Sequence, residues 1–395
     1  MSLKKVLHVC PYLHPRAGGP AILVPIYCRL LPQHGWQASV LTTDWYSPGG
    51  CEEIRKNLAN DLDITVLATG SNRFLALLKD RYQAAQVAFN KADIFHVHGL
   101  WHPLGWMVRQ YARANNKPYV ISTHGMLDRW SMNHGKLRKL IYYHLFEKRN
   151  LQHAARIIFT TEEESRHVAQ LHVNNLKSTV ILLGANDPPA VAKDALRKIF
   201  LDRYPVIQGR NIILFFGRLH QKKGLHIVIE FLPKILKQVP GALLLVVGDG
   251  DTPYVNKIKK QIADLKLADN VLLTGFLEAE DKWSALAASD VFVLPSSQEN
   301  FAMAVAEVMK MNIPVVISNK VDIWPYVKAA NAGVILTLDA TDKWPVVISD
   351  LLLDDNTRKA MGDNATKMAF GKFSWDSSTA GLVDVYNSIY NGTPA

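Results

Sequence analysis

The chain has 395 residues, 48% hydrophobic and 20% charged, with a formal net charge of +10. It is too long for one core, since single cores stop growing near ~250–300 residues, and no run approaches the ~20 apolar residues of a membrane-spanning helix. Residues 1–185 carry 22 Lys+Arg against 12 Asp+Glu, a balance of +10, whereas 186–395 carry 23 against 23, so the first half calls for an anionic substrate or an anionic surface; nucleic acid, the competing reading, has no helix-turn-helix, RNP-like or zinc-finger pattern behind it.

In chain order, both halves alternate strand-like apolar runs with helical patterns, as a parallel sheet covered on both faces requires. The first strand, Lys5–Cys10, follows Met1 without a signal-peptide apolar region, and the three cysteines (Cys10, Cys28, Cys51) form no C-x-x-C pair. A reducing cytosol is the expected home. Gly18-Gly19-Pro20 then opens a helix at Ala21–Gln33. The chain has no G-x-G-x-x-G, which disfavours a nicotinamide cofactor. Strands are expected at Ala38–Thr42, Ile64–Leu67 and Ile94–Val97. At the end of the last, His96 and His98 share one face by their period of two. Metal is one reading of that pair, but no Cys or carboxylate is grouped beside it in sequence; a pocket lining is the other. A helix over Leu104–Asn115 leads to the strand Tyr119–Ser122, closed by Thr123-His124-Gly125. The segment His134–Arg149 places Leu137, Leu140, Ile141, Leu145 and Phe146 at helical spacing among Lys and Arg. Two readings stand: core packing beneath a solvated basic face, or peripheral contact with anionic lipid. Strands at Ile157–Thr160 and Val180–Leu182 complete the half. Glu162, Glu163 and Glu164, after the first of these, suit the start of a helix as caps.

Gly184–Pro189 reads as a loose joint between two domains, 1–185 and 186–375. Beyond it, strands are expected at Ile212–Phe216, Leu243–Val247, Val271–Thr274, Val291–Leu294, Val315–Ile317 and Gly333–Leu336. Intervening helices fall at Leu225–Gln238, Tyr254–Leu265, Asp281–Ala287 and Ala304–Lys310, and a last amphipathic one at Ser378–Asn391. After the first of these strands, the loop Gly217-Arg218-Leu-His-Gln-Lys-Lys223-Gly224 sets two cations five positions apart. Arg218 is a planar fork and Lys223 a point charge, a pair suited to gripping a diphosphate. Gly248-Asp249-Gly250 and Gly275-Phe276-Leu277 close the next two strands. Pro295–Val316 then joins strand, polar loop, helix and strand. The amides of Asn300, Phe301 and Ala302 at a helix opening would face a phosphate, with Glu299 beside sugar hydroxyls and Glu307, eight residues on, reaching a ribose. That combination suits a nucleotide-sugar.

The pattern Ser296-x-x-Glu299-x-Phe301-x5-Glu307-x-Met309, followed by Pro314-Val-Val316, resembles the signature of the retaining glycosyltransferases of family 4 (GT4), and Gly217–Gly224 resembles their G-R-L-x-x-x-K-G loop. The family has Gly where Ala302 and Asn312 stand. Ala is the next smallest residue, and Asn suits a left-handed helix end.

The resemblance covers nearly the whole chain and implies an α/β GT-B fold, two Rossmann-like domains facing across a cleft, with the C-terminal helix (about 376–395) packed back on the N-terminal domain. It implies donor contacts from Gly19, Gly217, Arg218, Lys223, Gly248, Phe276, Leu277, Glu299, Asn300, Phe301, Ala302 and Glu307. His124 would touch the transferred sugar, with Glu299, Arg218 and Lys223 completing the catalytic set. His98 and Trp101 would line the acceptor pocket, with no metal and no cofactor. The runs His98-Gly-Leu-Trp-His-Pro103 and Thr123-His-Gly-Met-Leu-Asp-Arg-Trp130 look most like bacterial exopolysaccharide and cyanobacterial envelope-polysaccharide enzymes. The implied activity moves a hexosyl or uronosyl unit from a nucleoside-diphosphate sugar, UDP-glucose first and GDP-mannose second, to a glycan or lipid-linked acceptor. The implied site of action is the cytoplasm or the inner face of the plasma membrane. A non-catalytic GT-B subunit that binds glycan or nucleotide, and a UDP-sugar epimerase, are the alternatives.

Overall fold

Thirteen strands form two all-parallel sheets among the residues described by the computed structural model, which are 3–13, 18–45, 61–68, 80–133, 135–169 and 176–392. The chain divides into unit 1, residues 1–182 with 376–395, and unit 2, residues 183–375.

Unit 1 holds β1 (Lys4–Val9), β2 (Trp36–Thr43), β3 (Asp63–Leu67), β4 (Ile94–His98), β5 (Tyr119–Ser122), β6 (Arg156–Phe159) and β7 (Ser178–Val180), in the order β3-β2-β1-β4-β5-β6-β7. Unit 2 holds β8 (Asn211–Phe216), β9 (Ala242–Val247), β10 (Val271–Gly275), β11 (Val291–Leu294), β12 (Val315–Ser318) and β13 (Gly333–Leu336), in the order β10-β9-β8-β11-β12-β13. Each order reverses once, between β1 and β4 and between β8 and β11. Such switch points open a crevice beyond the carboxyl ends of the strands. Strands buried on both faces read as unbroken apolar runs: Ala-Leu-Leu-Leu-Val-Val of β9 and Val-Phe-Val-Leu of β11 are buried at every position. Each expected strand appears, displaced by at most two residues at an end. The exception in character is β4, Ile-Phe-His-Val-His, which is equally buried but carries two histidines.

The helix Trp375–Tyr390 packs on unit 1 through Tyr27 Oη to Ser378 Oγ (2.6 Å) and Lys4 Nζ to Asn387 Oδ1 (2.9 Å). Residues 393–395, Cys51 and His134 lie outside the described residues, and no described helix is long and apolar enough to cross a membrane.

Two expectations need correction. Gly184 does not loosen the joint: a Cβ there would lie 2.3 Å from the Trp375 ring, so glycine serves close packing. The segment after it is held firmly, because the buried ammonium of Lys310 donates to Ala185 O (2.6 Å) and pairs with Asp187 (2.8 Å). The basic amphipathic segment does not pack its apolar stripe in the core. It splits into Lys136–Tyr142, a π-turn at Tyr143–Glu147 and Lys148–His153, and Leu137, Leu140, Ile141 and Leu145 are exposed. The face that goes inward carries Tyr143 and Glu147.

Candidate functional site

In unit 2 the loops after β8 and β11, on either side of the switch point, are welded by backbone. Lys222 O accepts from Ser297 N (2.8 Å) and Ser296 Oγ (3.0 Å). Gly224, at φ 79°, approaches so closely that a Cβ would sit 2.2 Å from Pro295 O. Gly248 is under the same constraint, with a Cβ 2.0 Å from Gly217 O. Both glycines are there because three strand ends crowd together, and the crowding fixes the side chains above them. Lys223 Nζ lies 3.2 Å from Glu299, whose main chain is held by Lys320 O and Asp322 N (2.8 and 2.9 Å). With only 14% and 12% of their side chains exposed, the pair sits where ionic interactions are far stronger than in water. Arg218 is exposed and pairs with no carboxylate among the described residues. Phe276 is 70% exposed while Leu277 beside it is buried, so the ring is free to lie against a planar partner.

The helix carrying Glu307 starts at Met303, one residue ahead of the expected Ala304, with Ala302 as its N-cap in the left-handed conformation (φ 56°). That backbone turn keeps Asn300, Phe301 and Ala302 out of the helix. The helix-tip amides are those of Met303 and Ala304, and the Phe301 ring packs on Phe373 (5.0 Å between centroids). Glycine would adopt this conformation without strain. Asn312, at φ 60°, occupies the left-handed helix end expected of it. Glu307 is buried and takes Lys282 Nζ (3.0 Å) and Asn186 Nδ2 (2.9 Å) on Oε1, which leaves Oε2 for a further donor.

In unit 1 the ends of β4 and β5 carry His98, Trp101 and His124. His98, expected at a pocket wall, is buried. Its Nε2 meets His8 Nδ1 at 2.8 Å and its Nδ1 meets His124 Nε2 at 3.1 Å. His96 bonds Tyr386 Oη (2.5 Å) and Ser122 Oγ (2.8 Å). His8, on the neighbouring strand, brings a third potential ligand within 4.8 Å of His96 and His98, a trio that no sequence spacing announces. Burial holds His8 at a pKa of about 3 and His124 at about 4, and pushes His96 and His98 well below the usual imidazole value, helped by their neighbouring rings. The cluster is neutral. Gly19 begins its helix in open space; the positive φ, 101°, belongs to Gly18.

Sequence reasoning missed two carboxylates. Glu164, read as a helix cap, is fully buried. It accepts Thr123 Oγ1 (2.5 Å) and Gly125 N (2.6 Å) on one oxygen, and Thr160 N (2.8 Å) and Oγ1 (2.9 Å) on the other. It thereby clamps the loop on both sides of His124, which is held at φ 50°. Glu147 does the same for Trp101, held at φ 66°, by accepting its backbone N–H at 2.8 Å. Burial raises the Glu147 pKa to about 7. Left-handed non-glycine residues are strained and concentrate at functional sites. A buried glutamate behind a small polar-flanked loop is the signal that would have marked both.

The profile described as "Glycosyltransferase Family 4" matches residues 17–187, and "Glycosyl transferases group 1" matches 198–368. The GDP-mannose:cellobiosyl-diphosphopolyprenol alpha-mannosyltransferase of Xanthomonas campestris is 25% identical over 99% of this chain and 98% of its own. The alpha-D-kanosaminyltransferase of Streptomyces kanamyceticus is 25% identical over 62% of this chain and 63% of its own. Against this and four other curated relatives the chain spans 46–63% of the relative's length. Among solved structures, Anabaena Alr3699/HepE in complex with UDP and glucose superposes with a TM-score of 0.79 at 18% identity, covering 98% of this chain and 100% of that one.

Proposed function

Because the chain belongs to glycosyltransferase family 4 and has its GT-B fold, we propose that it is a retaining hexosyltransferase. On this reading it moves a sugar from a nucleoside-diphosphate donor to a glycan or lipid-linked acceptor in polysaccharide synthesis. The observation that carries the reading is the welded pair of loops in unit 2, which holds Lys223 3.2 Å from Glu299 beside a helix tip and an exposed Arg218. A diphosphate entering there draws Lys223 from Glu299 and frees the carboxylate to accept sugar hydroxyls. Arg218, Lys223 and the amides of Met303 and Ala304 offset the charge that grows on the leaving phosphate. The bond between the anomeric carbon and the phosphate oxygen breaks as the acceptor oxygen bonds on the same face, and that phosphate oxygen takes the acceptor proton. Glu307 Oε2 receives a ribose hydroxyl, and Phe276 covers the base. No metal or cofactor is called for.

A uridine donor of the UDP-glucose type is our first choice, supported by the UDP-bound Anabaena protein of the same fold; the Xanthomonas relative, named for GDP-mannose, supports the runner-up. The exposed stripe Leu137, Leu140, Ile141 and Leu145, flanked by Lys136, Arg138, Lys148 and Arg149, suits docking on an acidic membrane that presents a lipid-linked acceptor. Equal recovery with neutral and acidic liposomes would remove that part. A thermal-shift screen of UDP, GDP and ADP with their sugars tests the donor: one base raises the melting point by mass action, and no shift with any of them overturns the reading.

A further inference from the structure

His8, His98 and His124 form a row of nearly parallel rings, inclined by 19° and 14° to their neighbours, joined end to end by nitrogen contacts of 2.8 and 3.1 Å. A neutral imidazole carries one N–H. Both contacts are therefore hydrogen bonds in two arrangements alone: all three protons on Nδ1, or all three on Nε2. The far end of the row decides between them. His8 Nε2 is buried and has no partner among the described residues, and an orphaned buried N–H is rarer and costlier than an unused lone pair. The Nδ1 arrangement leaves the lone pair there and puts an N–H on the half-buried ring of His124, where an incoming oxygen can receive it.

We propose that His8 and His98 are positioning residues that lock His124 in its Nδ1–H form, so that His124 meets substrate as a hydrogen-bond donor and never as a general base. The oxygen it serves is a sugar hydroxyl or a phosphate oxygen, which rests on the glycosyltransferase reading; the tautomer itself does not. Glu164 supplies the second half of the arrangement by holding the His124 backbone in place on both sides. A metal on His8, His96 and His98 is the competing use of the cluster, but each of those rings already spends a nitrogen on a ring, tyrosine or serine neighbour.

The test is long-range proton–nitrogen correlation NMR on the full chain labelled with ¹⁵N-histidine, in the wild type, His98→Phe and His98→Asn. The wild type should show His8, His98 and His124 all protonated at Nδ1. His98→Phe removes the donor facing His124 Nε2, so His124 should average between tautomers and turnover should fall about tenfold with a smaller change in KM, as loss of one oriented hydrogen bond implies. His98→Asn puts an amide N–H at the reach of Nδ1 and should restore both. Protonation of His8 or His124 at Nε2 in the wild type overturns the proposal. So does joint movement of the His8, His96 and His98 signals with one equivalent of zinc. An Nδ1-protonated row in a chain that transfers no sugar from any nucleotide would fault the functional reading and leave the lock standing; transfer by a chain with an Nε2-protonated row would do the reverse.

Discussion

The two units solve the same problem, presenting polar groups beyond the ends of a buried parallel sheet, with opposite chemistry. Unit 2 uses fixed charge on glycine loops: Arg218, Lys223 and Glu299 stand on main chain so crowded that Gly224 and Gly248 admit no side chain. Unit 1 uses neutral rings on left-handed, non-glycine loops, with His124 and Trp101 held in strained backbone by the buried Glu164 and Glu147. The first design spends glycine to bring backbones together; the second spends buried carboxylates to keep side chains in unfavourable conformations. Function in unit 2 therefore resides in residues that can be changed without unfolding it. In unit 1 the supporting groups are also structural.

That contrast fails first, if it fails, at Glu164. Glu164→Ala strands the buried Gly125 and Thr160 amides and should cost about 3–5 kcal/mol in urea unfolding. A loss under 1 kcal/mol would mean the clamp does not support the loop. Lys223→Ala should instead leave stability nearly intact and lower turnover by about a hundredfold, the size of one lost transition-state contact; unchanged turnover would contradict the charged cradle.

Acid should separate the units as well. His8 and His124 have folded pKa values of about 3 and about 4 against 6.5 in the unfolded chain. Between those limits the unfolded chain binds more protons, so their stabilisation, complete above pH 6.5, is lost as pH falls toward 4. The slope is up to about 1.4 kcal/mol per pH unit for each ring. Glu147 works the other way: its folded pKa is raised, so its contribution fades as pH rises from about 4.5 to about 7. Hydrogen exchange, corrected for intrinsic rates, at pH 7.5 and 5.5 should show unit 1 opening first in acid. Equal change in unit 2, which has only His220 and His226, both less deeply buried, would refute this. The smallest effect belongs to Ala302→Gly, which should relieve left-handed strain for a gain of about 0.5–1 kcal/mol; a loss in thermal melting would show that the strain is absent.

The same contrast explains what a linear reading reaches. Unit 2's loops are legible because their partners lie within a few residues: Gly217 to Gly224 is one loop, and Glu299 and Glu307 ride one loop and helix. Asn312 points to a left-handed helix end from the sequence, whereas Ala302 reads there only as a small residue and its positive φ emerges from the fold. In unit 1 the meaningful neighbours are far apart. Glu164 reaches Thr123 and Gly125 across 41 and 39 residues, so from its own surroundings it looks like a cap. His8 and His98 are 90 residues apart and meet only because β1 and β4 pair, which no spacing within either strand reports. Periodicity placed Leu137, Leu140, Ile141 and Leu145 on one stripe. It could not say which way the stripe faces, because the π-turn carrying Tyr143 and Glu147 is the part that turns inward.

Titration calorimetry of nucleoside diphosphate on the wild type and on Lys223→Ala asks most directly whether unit 2 is a diphosphate cradle. One of UDP or GDP should bind the wild type and weaken by more than about tenfold in the variant, with the wild-type affinity falling as salt rises. Equal affinity in both proteins, or no binding of either nucleotide to the wild type, would contradict it.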